Sequence, residues 1–159
     1  MRAMVAVIVA AALAAGSCGG ESADPQPPAG DQAARSSEEL PAELLGSWTA
    51  TPSGVRLQYV FRREGTYRHL SVQRLRRPGG VSRFIIEARG TAVARGGALR
   101  LRPRSGTKKL RDPAEPGRNY TRRLERFPQE YGWSVRRGRR GPELTLTIGG
   151  GLAVTYRRR

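Results

Sequence analysis

Apolar and polar side chains alternate along most of the chain after residue 54, and this pattern predicts the fold. The alternation runs through residues 55–62, 83–88, 99–102, 143–148 and 152–157. A period of two with one apolar face is typical of antiparallel strands that cover a core. Turn sequences rich in glycine and proline separate these segments. The pattern therefore predicts an all-β domain of about eight strands, either an up-and-down antiparallel barrel or a closely related sandwich.

Two segments follow the pattern less well. Residues 67–77 place apolar side chains on both faces, which favours a β-bulge. Residues 104–118 are polar, follow Pro103, include Pro113 and Pro116, and lack periodicity. We therefore expect a long loop there, which overhangs one mouth of the barrel.

The start of the chain has the features of an export signal. Arg2 precedes an uninterrupted apolar run from Ala3 to Ala15, and Gly16 and Ser17 precede the only cysteine, Cys18. A basic residue, a short apolar segment and small residues are typical of a signal peptide. The apolar run is about 13 residues long, which is shorter than the roughly 20 residues needed to span a bilayer.

Because small residues stand directly before a lone cysteine, this region resembles the lipobox of bacterial lipoproteins. The resemblance implies that residues 1–17 are removed and that the Cys18 thiol carries lipid. It also implies an anchor on the extracytoplasmic face of the cell membrane or the outer membrane. The alternative is an ordinary signal peptide followed by a free cysteine. A single cysteine permits no intrachain disulfide, so the domain depends on packing for its stability.

Composition and charge divide the rest of the chain. Residues 18–37 hold no large apolar side chain and are rich in Pro, Gly, Ser and Ala, so we expect a disordered tether before a single domain at residues 38–159. From Glu21 to Glu43 there are six acidic residues and one basic residue, whereas from Leu44 onward there are 27 basic and seven acidic residues. A field of this size attracts polyanions whatever their sequence.

Short motifs spaced along the domain suggest a family. They are Gly-Ser-Trp at residues 46–48, Tyr-Val-Phe at 59–61, Glu-Gly-Thr-Tyr at 64–67, Gly-Gly-Ala-Leu-Arg-Leu at 96–101 and Tyr-Gly-Trp at 131–133. In this order they resemble bacterial lipocalin-like (calycin-type) domains, over residues 44–159. The resemblance implies that Trp48, beside Gly46, closes one end of the barrel against a basic residue of the last strand. Arg157 and Arg158 are the candidates, and we take Arg157 as the partner.

The residues do not indicate catalysis. His69 is the only histidine and lies within a predicted strand, so it has no partners for a metal site or a nucleophile–base pair. The seven carboxylates of the domain include no close pair in the sequence, and the glycine pairs join strands rather than open helices. We therefore expect a protein that is not an enzyme and that uses neither a cofactor nor a metal.

Two hypotheses about function remain. In the first, the barrel binds a small apolar or amphipathic ligand, and the lining consists of apolar side chains of the strands. These are Tyr59, Phe61, Phe84, Ile86, Leu99, Leu101, Trp133 and Leu146. In the second, side chains fill the barrel, which is near the size at which they do so, and the basic surface binds anionic lipid, wall polysaccharide or a partner protein.

The basic surface of the second hypothesis consists of arginine clusters at predicted strand ends. They are Arg62, Arg63, Arg76, Arg77, Arg136, Arg137, Arg139 and Arg140. Aromatic side chains are too sparse among them to indicate nucleic acid, and we expect a monomer. A ligand inside the barrel would be insensitive to salt, whereas binding by the basic surface would weaken as salt rises.

Overall fold

The structure, a computed structural model, describes residues 39–149 and 151–159. The predicted signal peptide, Cys18 and the predicted tether lie outside these residues. Nine strands make up most of the described chain. They are β1 (Gly46–Ala50), β2 (Val55–Phe61), β3 (Thr66–Arg77), β4 (Gly80–Arg95), β5 (Ala98–Arg111), β6 (Tyr120–Arg123), β7 (Gln129–Gly138), β8 (Gly141–Ile148) and β9 (Leu152–Arg158). Three single 3-10 turns complete the described elements, at Ala42–Leu44, Pro52–Gly54 and Pro116–Arg118.

The strands form one antiparallel sheet that closes on itself. The order is β4-β3-β2-β1-β9-β8-β7-β5-β6, and a further pairing of β4 with β5 closes the barrel. β6 and β7 both pair with β5, at Thr107–Leu110 and Ala98–Leu101 respectively. They therefore occupy one strand position of the barrel together. The nine strands thus form an eight-stranded barrel in which neighbouring strands follow one another in the sequence. The prediction of an all-β, eight-stranded up-and-down barrel is confirmed, and the architecture is compatible with a lipocalin-like fold.

The two irregular segments differ from the prediction. β3 pairs with β4 in one continuous register, without a bulge. The shift lies instead between β4 and β5, where Gly90 pairs with Pro103 and Arg89 with Ser105, so that Arg104 has no partner. The predicted loop at residues 104–118 is wrong over its first half, because β5 continues to Arg111. Pro103 and the bulge break the alternation without ending the strand.

Large inward-facing side chains of the strands, together with Leu44 of the segment before β1, form the core. Those that are essentially inaccessible to solvent are Trp48, Phe61, Leu44, Leu99, Leu101, Leu144 and Leu146. Tyr59 stacks on Phe61 with ring centroids 5.5 Å apart. Leu40 and Leu44, from the segment before β1, belong to the same core cluster. This segment therefore covers the end of the barrel at which β1 begins.

In an up-and-down barrel, successive connections lie at alternate ends. The β2–β3, β4–β5 and β7–β8 turns therefore share one end with the start of β1 and the finish of β9. We call this the plug end, because Trp48 lies there. The β1–β2, β3–β4, β5–β6 and β8–β9 connections lie at the opposite, far end. No helix within the described residues is long and apolar enough to cross a membrane.

Candidate binding surfaces and the barrel interior

Trp48 is the plug of one barrel end, and Arg158 is its basic partner. The indole is completely buried and its Nε1 donates a hydrogen bond to the Leu44 carbonyl at 2.7 Å. The Arg158 guanidinium lies 4.7 Å from the centre of the indole ring, and its Nη2 donates to the Glu43 carbonyl at 2.7 Å. The choice of Arg157 is corrected, since Arg157 has the opposite phase on β9 and pairs with Glu143 at 3.6 Å.

The predicted lining residues fall into two groups. The first belongs to the buried core or packs directly against it, and consists of Tyr59, Phe61, Leu99, Leu101, Leu146 and the half-buried Trp133. Phe84 and Ile86 form the second group, which is half-buried and lies outside that cluster. Phe84 pairs with Gln73, which is level with Val55 at the start of β2. The second group therefore lies towards the far end.

Above the plug, the interior becomes polar. The Tyr59 hydroxyl lies 3.5 Å from that of Tyr131, and the Tyr59 ring lies 4.4 Å from the His69 ring. Burial lowers the pKa of His69 to about 4 and raises the pKa of Tyr67 to about 12. Among the described residues, buried atoms without a hydrogen-bond partner include Tyr67 Oη, His69 Nδ1 and Trp133 Nε1. Buried polar atoms normally have partners, so this layer has unused hydrogen-bonding capacity.

The β7–β8 hairpin forms a basic cleft at the plug end. The cleft measures about 540 Å³, and its charged lining residues are Arg136, Arg137, Arg139, Arg140, Arg157 and Glu143. Arg136 and Arg157 share the Glu143 carboxylate, at 3.3 and 3.6 Å. The remaining three arginines have no carboxylate partner within the described part of the chain. We call this set the end cleft.

A second basic region lies on the side of the barrel. A cleft of about 300 Å³ is lined by four arginines, namely Arg62, Arg68, Arg89 and Arg104, and by no carboxylate of the described residues. It shares Arg68, Arg89 and Ser105 with an adjoining cleft of about 540 Å³. Most of the lining positions alternate with the core residue Tyr59 and its cross-strand partner His69, so both clefts open on the outer face. The inward-phase residues Tyr67, His69 and Ala88 also border them. Together we call them the lateral groove.

The structure divides the predicted basic surface. Arg62 and Arg63 lie at the plug end in the β2–β3 turn, and the β7–β8 arginines lie at the same end. Arg76 and Arg77 close β3 at the far end. Sequence reasoning missed the grouping of Arg68, Arg89 and Arg104, because each lies in a different run of the sequence. Knowledge of the strand register would have revealed the grouping, because the register places Arg68 directly opposite Arg89.

In the described ranges, no cluster of three or more His, Cys, Asp or Glu side chains could hold a metal ion. The chain matches no protein-family model, no curated protein and no solved structure.

Proposed function

We propose that this protein is a non-catalytic, lipid-anchored barrel of the cell envelope whose plug end docks on anionic phospholipid headgroups. The observation that carries the proposal is the end cleft, in which five arginines surround one glutamate. Because Glu143 is already shared by two of them, the local excess of positive charge is large. Arginine binds phosphate with charge-assisted, often bidentate hydrogen bonds.

The path of the chain supports this orientation. The described chain begins at Glu39, and Leu40 and Leu44 pack into the core at the plug end. The first described residues therefore lie at the same end of the barrel as the end cleft. Twenty residues separate Cys18 from Glu39, and a chain of that length spans at most about 70 Å. A lipid on Cys18 would keep the arginines within reach of the membrane surface.

The expected strength follows from the number of unpaired charges. A basic residue close to an anionic membrane surface contributes about 1 kcal/mol. Removing Arg137, Arg139 and Arg140 should therefore weaken binding by about 100-fold. Because the contacts are exposed, binding should also weaken steeply as salt rises.

The test is sedimentation of the unlipidated chain, from Gly19 onward, with vesicles of phosphatidylglycerol and phosphatidylcholine. Pure phosphatidylcholine vesicles are the neutral control. The R137Q/R139Q/R140Q variant should lose the binding. The matched control, R74Q/R76Q/R77Q, removes the same charge from the far end of β3 and should bind nearly as tightly as the unchanged protein. Equal losses in the two variants would show attraction by net charge alone, and no losses would refute the proposal.

A ligand inside the barrel is the second candidate function. The observation that favours it is the polar interior layer, where Tyr67, His69 and Trp133 have buried polar atoms without partners in the described chain. A small amphipathic molecule could satisfy them with its polar group, and Phe84 and Ile86 would then contact its apolar part. Native mass spectrometry of protein taken gently from its host envelope tests this. A discrete extra mass that disappears on denaturation supports a ligand, and a bare chain mass contradicts it.

A further inference from the structure

The lateral groove juxtaposes like charges on rigid strands. Arg68 of β3 and Arg89 of β4 stand directly opposite each other in the sheet. Like charges in such a pair destabilise a sheet, and the destabilisation is relieved when an acidic side chain lies nearby. Within the described ranges, neither guanidinium has a carboxylate within salt-bridge distance. Binding of an external anion would therefore relieve the repulsion between Arg68 and Arg89.

Two more arginines extend the positive region around this pair. Arg62 comes from the β2–β3 turn and is 3.9 Å from Glu64, a contact in which both side chains are mostly exposed. Arg104 is the unpaired residue of the bulge in β5. Bulges re-aim side chains, and this one adds a fourth guanidinium to the same cleft.

The backbone fixes the position of the bulge. A Cβ atom on Gly90 would collide with the carbonyl oxygen of Arg102, so the two strands approach closely where their register shifts. Arg68 and Arg89 are therefore held by strands rather than by a mobile loop. Sites built on such elements position their ligands more accurately than sites on loops.

The wider part of the groove, which is the cleft of about 540 Å³, offers neutral polar and aliphatic side chains. Gln58, Ser105 and Thr107 offer an amide and hydroxyls, while Val60 and Leu70 offer aliphatic surface. Glu87 is the acidic residue here, and it pairs with Lys109 at 2.9 Å. A neutral body with many hydroxyl groups fits this lining.

We propose that the lateral groove binds an anionic saccharide, with its phosphate or carboxylate group between Arg68 and Arg89 and its neutral ring in the wider part. A flat membrane cannot reach a groove on the side of the barrel while the plug end rests on it. A nucleobase would need an exposed aromatic platform, and Tyr67, which lines the narrower part, is almost fully buried. This site is separate from the end cleft. Saccharide binding does not require the membrane proposal, but the exclusion of a membrane as the occupant rests on the orientation proposed above.

The experiment is isothermal titration of the chain from Gly19 onward with three probes: tetragalacturonate, mannose 6-phosphate and neutral maltotetraose. The first two distinguish carboxylate from phosphate as the anionic group. We expect at least one of them to bind and maltotetraose not to bind. The R68Q/R89Q variant should weaken binding by about tenfold or more, because charged hydrogen bonds are lost.

The matched control is R74Q/R83Q. These two arginines also stand opposite each other on β3 and β4, but they line neither cleft of the groove. The control should bind as the unchanged protein does, and both variants should melt at the same temperature as that protein or higher, because each loses a repulsive pair. Equal weakening in both variants, binding of maltotetraose as tight as that of the anions, or no binding of either anion would overturn the proposal.

Discussion

Two adjacent arginines of β9 should differ sharply in their effect on stability. Arg158 contacts the buried Trp48 ring and the Glu43 carbonyl, whereas Arg157 makes an exposed ion pair with Glu143. Methionine retains much of the side-chain volume of arginine and removes the charge. The comparison of R158M with R157M therefore isolates the plug interaction from the general loss of one positive charge.

The structure sets the expected size of each effect. A cation over an aromatic ring contributes about 0.5–1 kcal/mol at exposed sites, and a hydrogen bond from a charged group about 1.5 kcal/mol at the low end. We take the low end of each range because the Arg158 side chain is exposed to solvent, so R158M should cost about 2 kcal/mol. Exposed ion pairs contribute between about 0 and 1 kcal/mol, and Glu143 keeps Arg136 as a partner. R157M should therefore cost well under about 1 kcal/mol.

Urea unfolding followed by tryptophan fluorescence measures both values, and thermal unfolding provides a check. For a domain of this size, about 2 kcal/mol corresponds to a fall in melting temperature of about 8 °C. R158K should recover part of the stability, because lysine keeps the charge over the ring but lacks the planar guanidinium. If R157M destabilises the domain as much as R158M does, the assignment of Arg158 to the plug is refuted.

Three further results are expected. His69 has a pKa of about 4 in the folded protein against about 6.5 when unfolded, so the unfolded state binds more protons between these values. The contribution of His69 to the free energy of unfolding is then complete above about pH 6.5, and about 3 kcal/mol is lost as the pH drops to about 4. Chemical unfolding of the H69N variant across this range should show no such loss. Leu99→Ala should cost about 2–5 kcal/mol in urea unfolding, whereas Leu152→Ala, at a residue 66% exposed, should cost almost nothing. Gly90→Ala should lower the melting temperature strongly, because the new Cβ meets the Arg102 carbonyl; an unchanged melting temperature would show that the strands separate easily there.

The alternation of the sequence was sufficient to predict an antiparallel all-β domain, as a barrel or a closely related sandwich, for a physical reason. A strand with one apolar face must bury it, and short turns leave antiparallel neighbours as the simplest arrangement. The second half of β5 escaped prediction because its inward positions include Gly106 and Lys108, which carry no apolar signal. That half is stabilised by its ladder with β4 and by β6, and pairing of this kind is not visible in one segment of sequence.

The candidate sites were predicted only in part. Alternation gives the phase of a residue but not its height along the barrel, so Phe84 and Ile86 were grouped with core residues although they lie towards the far end. The partner of Trp48 depends on the phase of β9, which a run of three arginines leaves undetermined. Arg68 and Arg89 are separated by 21 positions in the sequence, and only the register between β3 and β4 brings them together.

Strand alternation also makes the three candidate sites separable by experiment. The His69 ring packs on Tyr59 in the interior layer but also borders the larger cleft of the lateral groove, whereas its neighbours Arg68 and Leu70 face outward into the groove. A substitution at Arg68 therefore changes the groove without entering the core, whereas one at Trp133, which lines neither cleft of the groove, changes the interior layer alone. Raising the salt concentration should weaken both outer sites, because their arginines are exposed, and should leave an interior ligand in place. A ligand that resists salt but is lost in W133F would belong to the barrel interior, whereas one lost in salt and in R68Q/R89Q would belong to the groove.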